Sequence, residues 1–156
     1  MSELYECEHC GAQSYSYWHA VTPGIVNALV KFRRAVIAKG TYSLHNRKDL
    51  DGTPWELTKN EAANWTMLRY HGLVAKDKDA GRGYWLLTHR GAEFLKGNLA
   101  VPARVKTLNN HVIDHDDEYV RIQDVLGTLP YFETLETLER EAVGVNPQLS
   151  FLEVAK

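Results

Sequence analysis

Two cysteines near the N-terminus have the spacing of a metal-binding turn. They stand in the segment Cys7-Glu8-His9-Cys10-Gly11, where a C-x2-C spacing lets both thiolates face one ion and the glycine permits a tight turn. A structural zinc site needs four ligands, and the chain has no further cysteine. The pattern predicts one structural zinc ion bound by Cys7 and Cys10, with two free thiols in a loop as the alternative.

The remaining zinc ligands must then be histidines or carboxylates from elsewhere in the chain. His19 is the nearest histidine past Cys10, and we predict it as the third ligand. His45 is an alternative, and His111 and His115 form an H-x3-H pair that can come from a distant strand. A redox role for the cysteines is disfavoured, because the βαβ context that such a motif needs is missing.

A second group of residues has the chemistry of DNA recognition. Between Thr58 and Gly72, the face opposite to the apolar anchors Trp65 and Leu68 carries Asn60, Asn64, Met67 and His71. Asparagine can hydrogen-bond adenine at two atoms, methionine can contact a thymine methyl group, and basic side chains can meet phosphates. An ordinary solvated helix surface is the alternative. The DNA-contacting residues predicted here are Lys59, Asn60, Asn64, Met67, Arg69 and His71.

A polar turn with two glycines follows this segment. Residues 76–83 separate two apolar stretches, which is typical of a hairpin tip. Arg82 lies between Gly81 and Gly83 and is suited to enter a narrow minor groove, where A/T tracts attract arginine. Lys78 completes the predicted DNA-binding set. An arginine that only keeps the turn soluble is the alternative.

Capping signals and periodicity predict the helices that position these residues. Thr58 and Glu61 form a capping box that begins a helix ending at Gly72. Thr22-Pro23 begins an earlier helix that ends at Gly40 and carries a 3.6-residue apolar stripe. Lys31, Arg33, Arg34 and Lys39 fall outside that stripe. Further helices are predicted from Thr88 to Gly97 and from Thr128 to the break at Asn146-Pro147.

Short apolar or alternating stretches predict strands around the helices. Asn109-Asn110 is a hairpin turn signal, whereas the polar residues 45–56 indicate a loop or a single helical turn. The strands are predicted at residues 41–44, 73–74, 84–87, 104–108, 111–113 and 119–125.

Part of the chain resembles a known group of proteins. The segments LRYHGLV at 68–74 and GYWLLTHRGAEFLKG at 83–97, followed by Val101-Pro102 and a short hairpin, are similar to uncharacterised winged-helix proteins from phages and bacteria. The resemblance spans Val21 to Leu138 and implies a winged-helix fold. It implies no activity, since none is established for the group.

The expected class is therefore α+β, with three parts. Residues 1–20 form a zinc-knuckle-like segment, residues 21–100 a winged helix-turn-helix domain, and residues 101–156 an acidic extension with a β-hairpin and a helix. A winged helix normally has a middle helix before its recognition helix, and here residues 45–56 would have to supply it.

The charge is unevenly distributed along the 156 residues. Residues 20–100 contain 13 Lys and Arg against 7 Asp and Glu, whereas residues 101–156 contain 5 against 10. Nucleic-acid affinity depends on such a local positive patch rather than on the net charge of −2. No signal peptide is recognisable and no apolar run approaches the ~18 residues of a membrane span, so we expect a cytoplasmic protein without a membrane partner.

Catalytic motifs are missing from the sequence. It contains no G-x-S-x-G, no phosphate loop and no H-E-x-x-H, and the acidic residues 114–117 are most simply a turn. We therefore do not expect an enzyme. We expect a winged-helix protein that binds double-stranded DNA and acts as a phage-type or bacterial transcription regulator. The sequence allows a homodimer but does not decide the oligomeric state. The alternative is a protein-interaction module, an adaptor or an inhibitor of a host factor.

Overall fold

The computed structural model describes residues 2–127 and has a mixed α and β fold built on small antiparallel sheets, which confirms the predicted α+β class. The strands are β1 Ser2–Glu6, β2 Gln13–Ala20, β3 Ser43–His45, β4 Val74–Lys76, β5 Tyr84–Leu87, β6 Val101–Pro102, β7 Arg104–Leu108, β8 His111–His115 and β9 Tyr119–Val120. The helices are α1 Pro23–Lys39, α2 Lys59–Ala63, α3 Thr66–Tyr70, α4 His89–Leu95 and α5 Ile122–Leu126. The helix predicted from Thr128 lies outside the described residues.

Helix α1 is the central support of the molecule, and both of its predicted ends are confirmed. The Thr22 hydroxyl accepts the Ile25 N–H, and Gly40 ends the helix at φ 67°, where its N–H meets the carbonyls of Val36 and Ile37. The apolar stripe is buried as predicted, but Arg33 is buried with it at 0% exposure. Placing Arg33 outside the buried face was therefore wrong.

The predicted helix between Thr58 and Gly72 is present but interrupted. Helix α2 stops at Ala63, and α3 begins at Thr66 after Asn64 has taken φ −100° and ψ 7°. The capping box is confirmed, because the Thr58 hydroxyl accepts the Glu61 N–H at 3.2 Å and the Glu61 carboxylate accepts the Thr58 N–H at 2.8 Å. The predicted end is confirmed by Gly72 at φ 76°.

An aromatic cluster joins these helices to the rest of the core. Trp65 is 2% exposed and its ring lies 5.2 Å from that of Phe32 on α1 and 5.9 Å from that of Trp85 on β5. Leu68 is also buried. Both predicted anchors are confirmed.

A three-stranded sheet in the order β3-β5-β4 covers the other side of this cluster. Between β3 and α2 the chain forms successive turns, including one helical turn closed by the Asp51 N–H on the Arg47 carbonyl at 2.7 Å. Helix α4 packs closely against the chain at the start of β4, since a side chain at Gly91 would collide with the Leu73 carbonyl oxygen.

A second sheet joins the two ends of the described chain in the order β1-β2-β7-β8. Strand β2 pairs antiparallel with β7, so the N-terminal hairpin and the later hairpin form one surface. Asn109 and Asn110 both have positive φ, at 51° and 65°, as the predicted two-residue turn requires.

The strand predicted over residues 119–125 is only partly correct. Strand β9 ends at Val120, and α5 then buries Ile122 in the core. The Asp124 carboxylate accepts the Arg121 N–H at 2.8 Å and so caps the helix. Because the apolar positions Ile122, Val125 and Leu126 also fit a helical period, alternation alone did not decide between the two structures.

We expect Trp65→Ala to lower the free energy of unfolding by about 3–5 kcal/mol, the usual cost of removing a buried large aromatic side chain. Tyr15→Ala is the matched control, because Tyr15 is 52% exposed on β2, and it should cost about 1 kcal/mol or less. Urea denaturation followed by circular dichroism measures both. Equal losses in the two variants would contradict the proposed role of the aromatic cluster.

Candidate functional site

The outer face of α2 carries three of the predicted DNA-binding side chains. Lys59, Asn60 and Asn64 are all exposed. The opposite face is tied to α1, because the Lys31 ammonium lies 2.5 Å from the Glu61 carboxylate and also donates to the Glu56 carbonyl at 3.2 Å. This ion pair and the capping box use the same carboxylate oxygen, so the start of α2 is held in one position.

The turn before α2 adds polar residues that the sequence reasoning missed. Asn46, Arg47 and Lys59 line one shallow groove, and Arg47 and Lys48 are exposed. The backbone N–H groups of Arg47 and Lys48 both donate to His45 Nδ1 at 3.0 Å. The adjacent Arg47-Lys48 pair was the available signal, but it stands in a segment predicted as a loop or a single helical turn, to which no binding role was given.

The β4–β5 hairpin is fixed beside this turn. The Asn46 N–H donates to the Gly83 carbonyl at 3.1 Å. The His45 ring covers Gly83, which has φ 85° and no room for a Cβ atom. Lys78 and Arg82 at the hairpin tip are exposed, as predicted. The groove at Arg47 and Lys59 and the base of the hairpin are therefore neighbours.

Three residues predicted on the DNA-contacting face lie elsewhere. Met67 is half-buried against the core, and His71 is only 3% exposed. Arg69 is half-buried, with its guanidinium 5.3 Å from the centre of the Tyr70 ring. The expectation that Met67 and His71 share the exposed face of Asn60 and Asn64 was wrong, and Arg69, predicted as a phosphate contact, is only partly exposed.

The physical reason is that the terminal sheet covers this side of α3. The Tyr70 hydroxyl donates to Asn110 Oδ1 at 3.1 Å, and the Tyr70 ring lies 5.1 Å from that of His19. Arg69 and His71 line the same cleft as Val105 and other residues of the sheet. The contact joins residues far apart in sequence, so a helical periodicity could not reveal it.

His71 is the buried titratable group at this junction. Burial lowers its pKa to about 4, and the nearby positive charges of His19 and Arg90 act in the same direction. The backbone carbonyl of His19 partly opposes the shift, although within the described residues neither ring nitrogen makes a hydrogen bond of good geometry. The neutral imidazole is therefore the form that the folded protein accommodates.

The two cysteines lie at the turn between β1 and β2. Both thiols are free and exposed. The Cys7 N–H donates to the Ala12 carbonyl at 2.7 Å, and Gly11 closes the turn on the Cys7 carbonyl at 2.9 Å. Hydrogen bonds from the backbone N–H groups of Cys10 and His9 lower the pKa of the Cys7 thiol.

The predicted third zinc ligand is not brought to this turn. The last pair before the turn is Glu6 with Gln13, and His19 lies six residues farther along β2, roughly 20 Å away at the rise of a strand. Its Nε2 atom is 2.8 Å from the Thr107 hydroxyl. The prediction that His19 shares one site with Cys7 and Cys10 was wrong, because an extended strand separates them.

The alternative histidines are also distant from the cysteines. His45 belongs to the other sheet, and its Nδ1 atom accepts two backbone N–H groups. His111 and His115 stand on β8, two strands from β2. Within residues 2–127 no three His, Cys, Asp or Glu side chains are grouped so as to hold a metal ion.

Comparison with known proteins gave no relatives for this chain: no family model, no curated protein and no solved structure matches it. Across the described part of the chain, no helix combines the length and the apolar character that crossing a bilayer requires.

We expect the free energy of unfolding to fall as the pH is lowered from about 6.5 to about 4 and to change little further from this source below that range. In the unfolded chain His71 takes up its proton near pH 6.5, whereas in the folded protein its pKa is about 4. Between these pH values the unfolded state therefore binds more protons than the folded state, which lowers the free energy of unfolding by about 3 kcal/mol.

His71→Gln should remove most of this acid-dependent loss, whatever its effect on stability at neutral pH. His89→Gln is the control, since His89 is exposed on α4, and it should keep the wild-type slope. Urea denaturation at a series of pH values gives the slopes. An unchanged slope in His71→Gln would show that the burial of His71 is not its origin.

Proposed function

We propose that this protein binds double-stranded DNA through a winged-helix unit formed by residues 21–100. The element order supports the proposal: α1, β3, the turn, α2 with α3, then the β4–β5 hairpin and α4. The sheet order β3-β5-β4 is also the order in which a winged helix pairs its first strand with the returning strand of its wing. In a winged helix formed in this way, the turns at residues 46–55 stand in the place of the middle helix.

The observation that carries the proposal is the cluster of exposed polar and basic side chains on α2 and its surroundings. Lys59, Asn60 and Asn64 face solvent on one side of α2. In helix-turn-helix proteins the first residues of the recognition helix contact the base edges. A helix of only five residues can still present both amides to the major groove, because Asn60 lies in its first turn and Asn64 is the exposed residue that ends it.

The neighbouring basic residues suit phosphate contacts around such a helix. Arg47 and Lys59 line the groove beside α2, and Arg82 projects from the adjoining hairpin. Phosphate contacts of this kind fix the register of a protein on DNA, whereas base contacts select the sequence. The division assigns Asn60 and Asn64 to base recognition, and Arg47, Lys59, Lys78 and Arg82 to the backbone or to the minor groove. A protein with this activity would serve as a transcription regulator.

A protein-interaction module is the second candidate. Its support is strand β8, which lies at the edge of the terminal sheet and exposes Val112 and Ile113. An exposed strand edge can accept a strand from another protein. Salt dependence separates the two functions: binding to random duplex that weakens steeply with salt indicates phosphate contacts, and no binding at low salt favours the adaptor.

We expect Arg82→Ala to weaken binding to all duplex sequences and to flatten the salt dependence, because an arginine on phosphate or in a narrow groove contributes without reading bases. Lys39→Ala is the control. It removes one exposed positive charge at the end of α1, away from the proposed interface, and should change affinity little. Fluorescence anisotropy at two salt concentrations measures the effect, and equal losses in both variants would contradict a specific role for the hairpin.

We expect Asn64→Ala to relax sequence preference at one base position by about 1–3 kcal/mol and to leave binding to random duplex nearly unchanged. Asn27→Ala, at an exposed position of α1, should leave the preference intact. Selection of binding sites from a randomised duplex library, repeated with each variant, shows the preference. An identical selected sequence for Asn64→Ala and wild type would remove Asn64 from base recognition.

A further inference from the structure

We propose that the turn between β1 and β2 binds zinc between two copies of the chain, each of which contributes Cys7 and Cys10. The site would be a tetrahedral zinc ion with four thiolate ligands, a common composition for structural zinc. The proposal makes the metal the link of a homodimer and does not require that the protein bind DNA.

The supply of ligands is the first argument. One chain brings two thiolates to the turn, and structural zinc requires four ligands. His19 is held at Thr107 at the far end of β2, and the remaining candidate histidines lie on β3 and β8. Residues 128–156 contain neither cysteine nor histidine. A second copy supplies the two missing sulfur ligands without any rearrangement of the fold.

The local geometry of the turn is the second argument. Gly11 adopts φ 71°, a conformation that favours glycine, directly after Cys10. The turn is closed by the hydrogen bonds of Cys7 with Ala12 and Gly11. The dithiol is thus arranged before any metal arrives.

The surface around the turn is the third argument. Both cysteines are exposed at the tip of a hairpin, where a second tip can approach. On the adjacent strands Leu4 pairs with Tyr15, and their side chains are 51% and 52% exposed. These two exposed apolar side chains lie next to the proposed zinc contact, so a second copy bound there would cover them.

The acidic residues beside the cysteines make the association depend on metal. Glu6 and Glu8 flank Cys7, so two tips without a cation repel one another through their like charges. Zinc displaces the thiol protons, and the four metal–sulfur bonds that form outweigh this repulsion. The dimer should therefore dissociate when the metal is removed, whereas a dimer held by apolar contacts alone would persist.

The test is a zinc titration of the full chain, stripped of metal and kept under a thiol-free reductant, followed by light scattering and elemental analysis. We expect binding to saturate at about half a zinc ion per chain, with the mass rising to about twice the 17.7 kDa of one chain. Chelator should reverse both changes. Cobalt(II) in place of zinc should give the visible spectrum of a tetrahedral four-thiolate site.

Variants complete the test. Cys7→Ser and Cys10→Ser should lose zinc and dimer together while keeping the wild-type circular dichroism spectrum, because both positions are exposed. His19→Ala should bind zinc and dimerise like wild type. One zinc per monomeric chain, a dimer that survives chelation, or no binding at micromolar zinc would each overturn the proposal. None of these outcomes decides whether the protein binds DNA, which is measured separately on the monomeric Cys7→Ser protein.

Discussion

The burial of Trp65 between Phe32 and Trp85 is the contact on which the rest of the central fold depends. It brings the central helix α1, the α2–α3 segment and the three-stranded sheet together at one point. Because the indole fills this space, α2 can be short and still occupy a fixed position. The Lys31–Glu61 pair then sets the start of α2 from the α1 side, and at a half-buried site such a pair fixes geometry more than it adds stability.

Features that depend on near neighbours in the chain could be predicted from the sequence. The caps at Thr22, Thr58 and Thr88 and the turn at Asn109-Asn110 were predicted correctly, since each is decided by hydrogen bonds or dihedral angles within a few residues. The interruption at Asn64 was not predicted. The packing of Trp65 against two other elements, rather than helix propensity, sets the local backbone there.

Features that depend on distant segments could not be predicted in the same way. His71 and Arg69 lie under a sheet whose strands come from both ends of the described chain, and helical periodicity carries no information about that cover. His19 shows the same limit for a candidate site. Its closeness to Cys10 in sequence suggested a shared metal, but an extended strand converts a few residues into a long distance. Asn60 and Asn64 were correctly predicted to be exposed. The two residues are four positions apart, so the helical period over a single turn was enough to place both on the same face.

The surface proposed to bind DNA and the surface proposed to bind zinc lie on different parts of the fold. The terminal sheet is attached to the α3 side through Tyr70, so the exposed residues of α2 and the β4–β5 hairpin remain uncovered. If two chains are joined at the β1–β2 turns, the α2 faces remain available, and the symmetry of the pair relates them by a two-fold axis. If the α2 face binds DNA as proposed, a single short helix with few base contacts would bind it weakly. Two linked copies make the second contact intramolecular, which raises overall affinity without any new side chain at the interface.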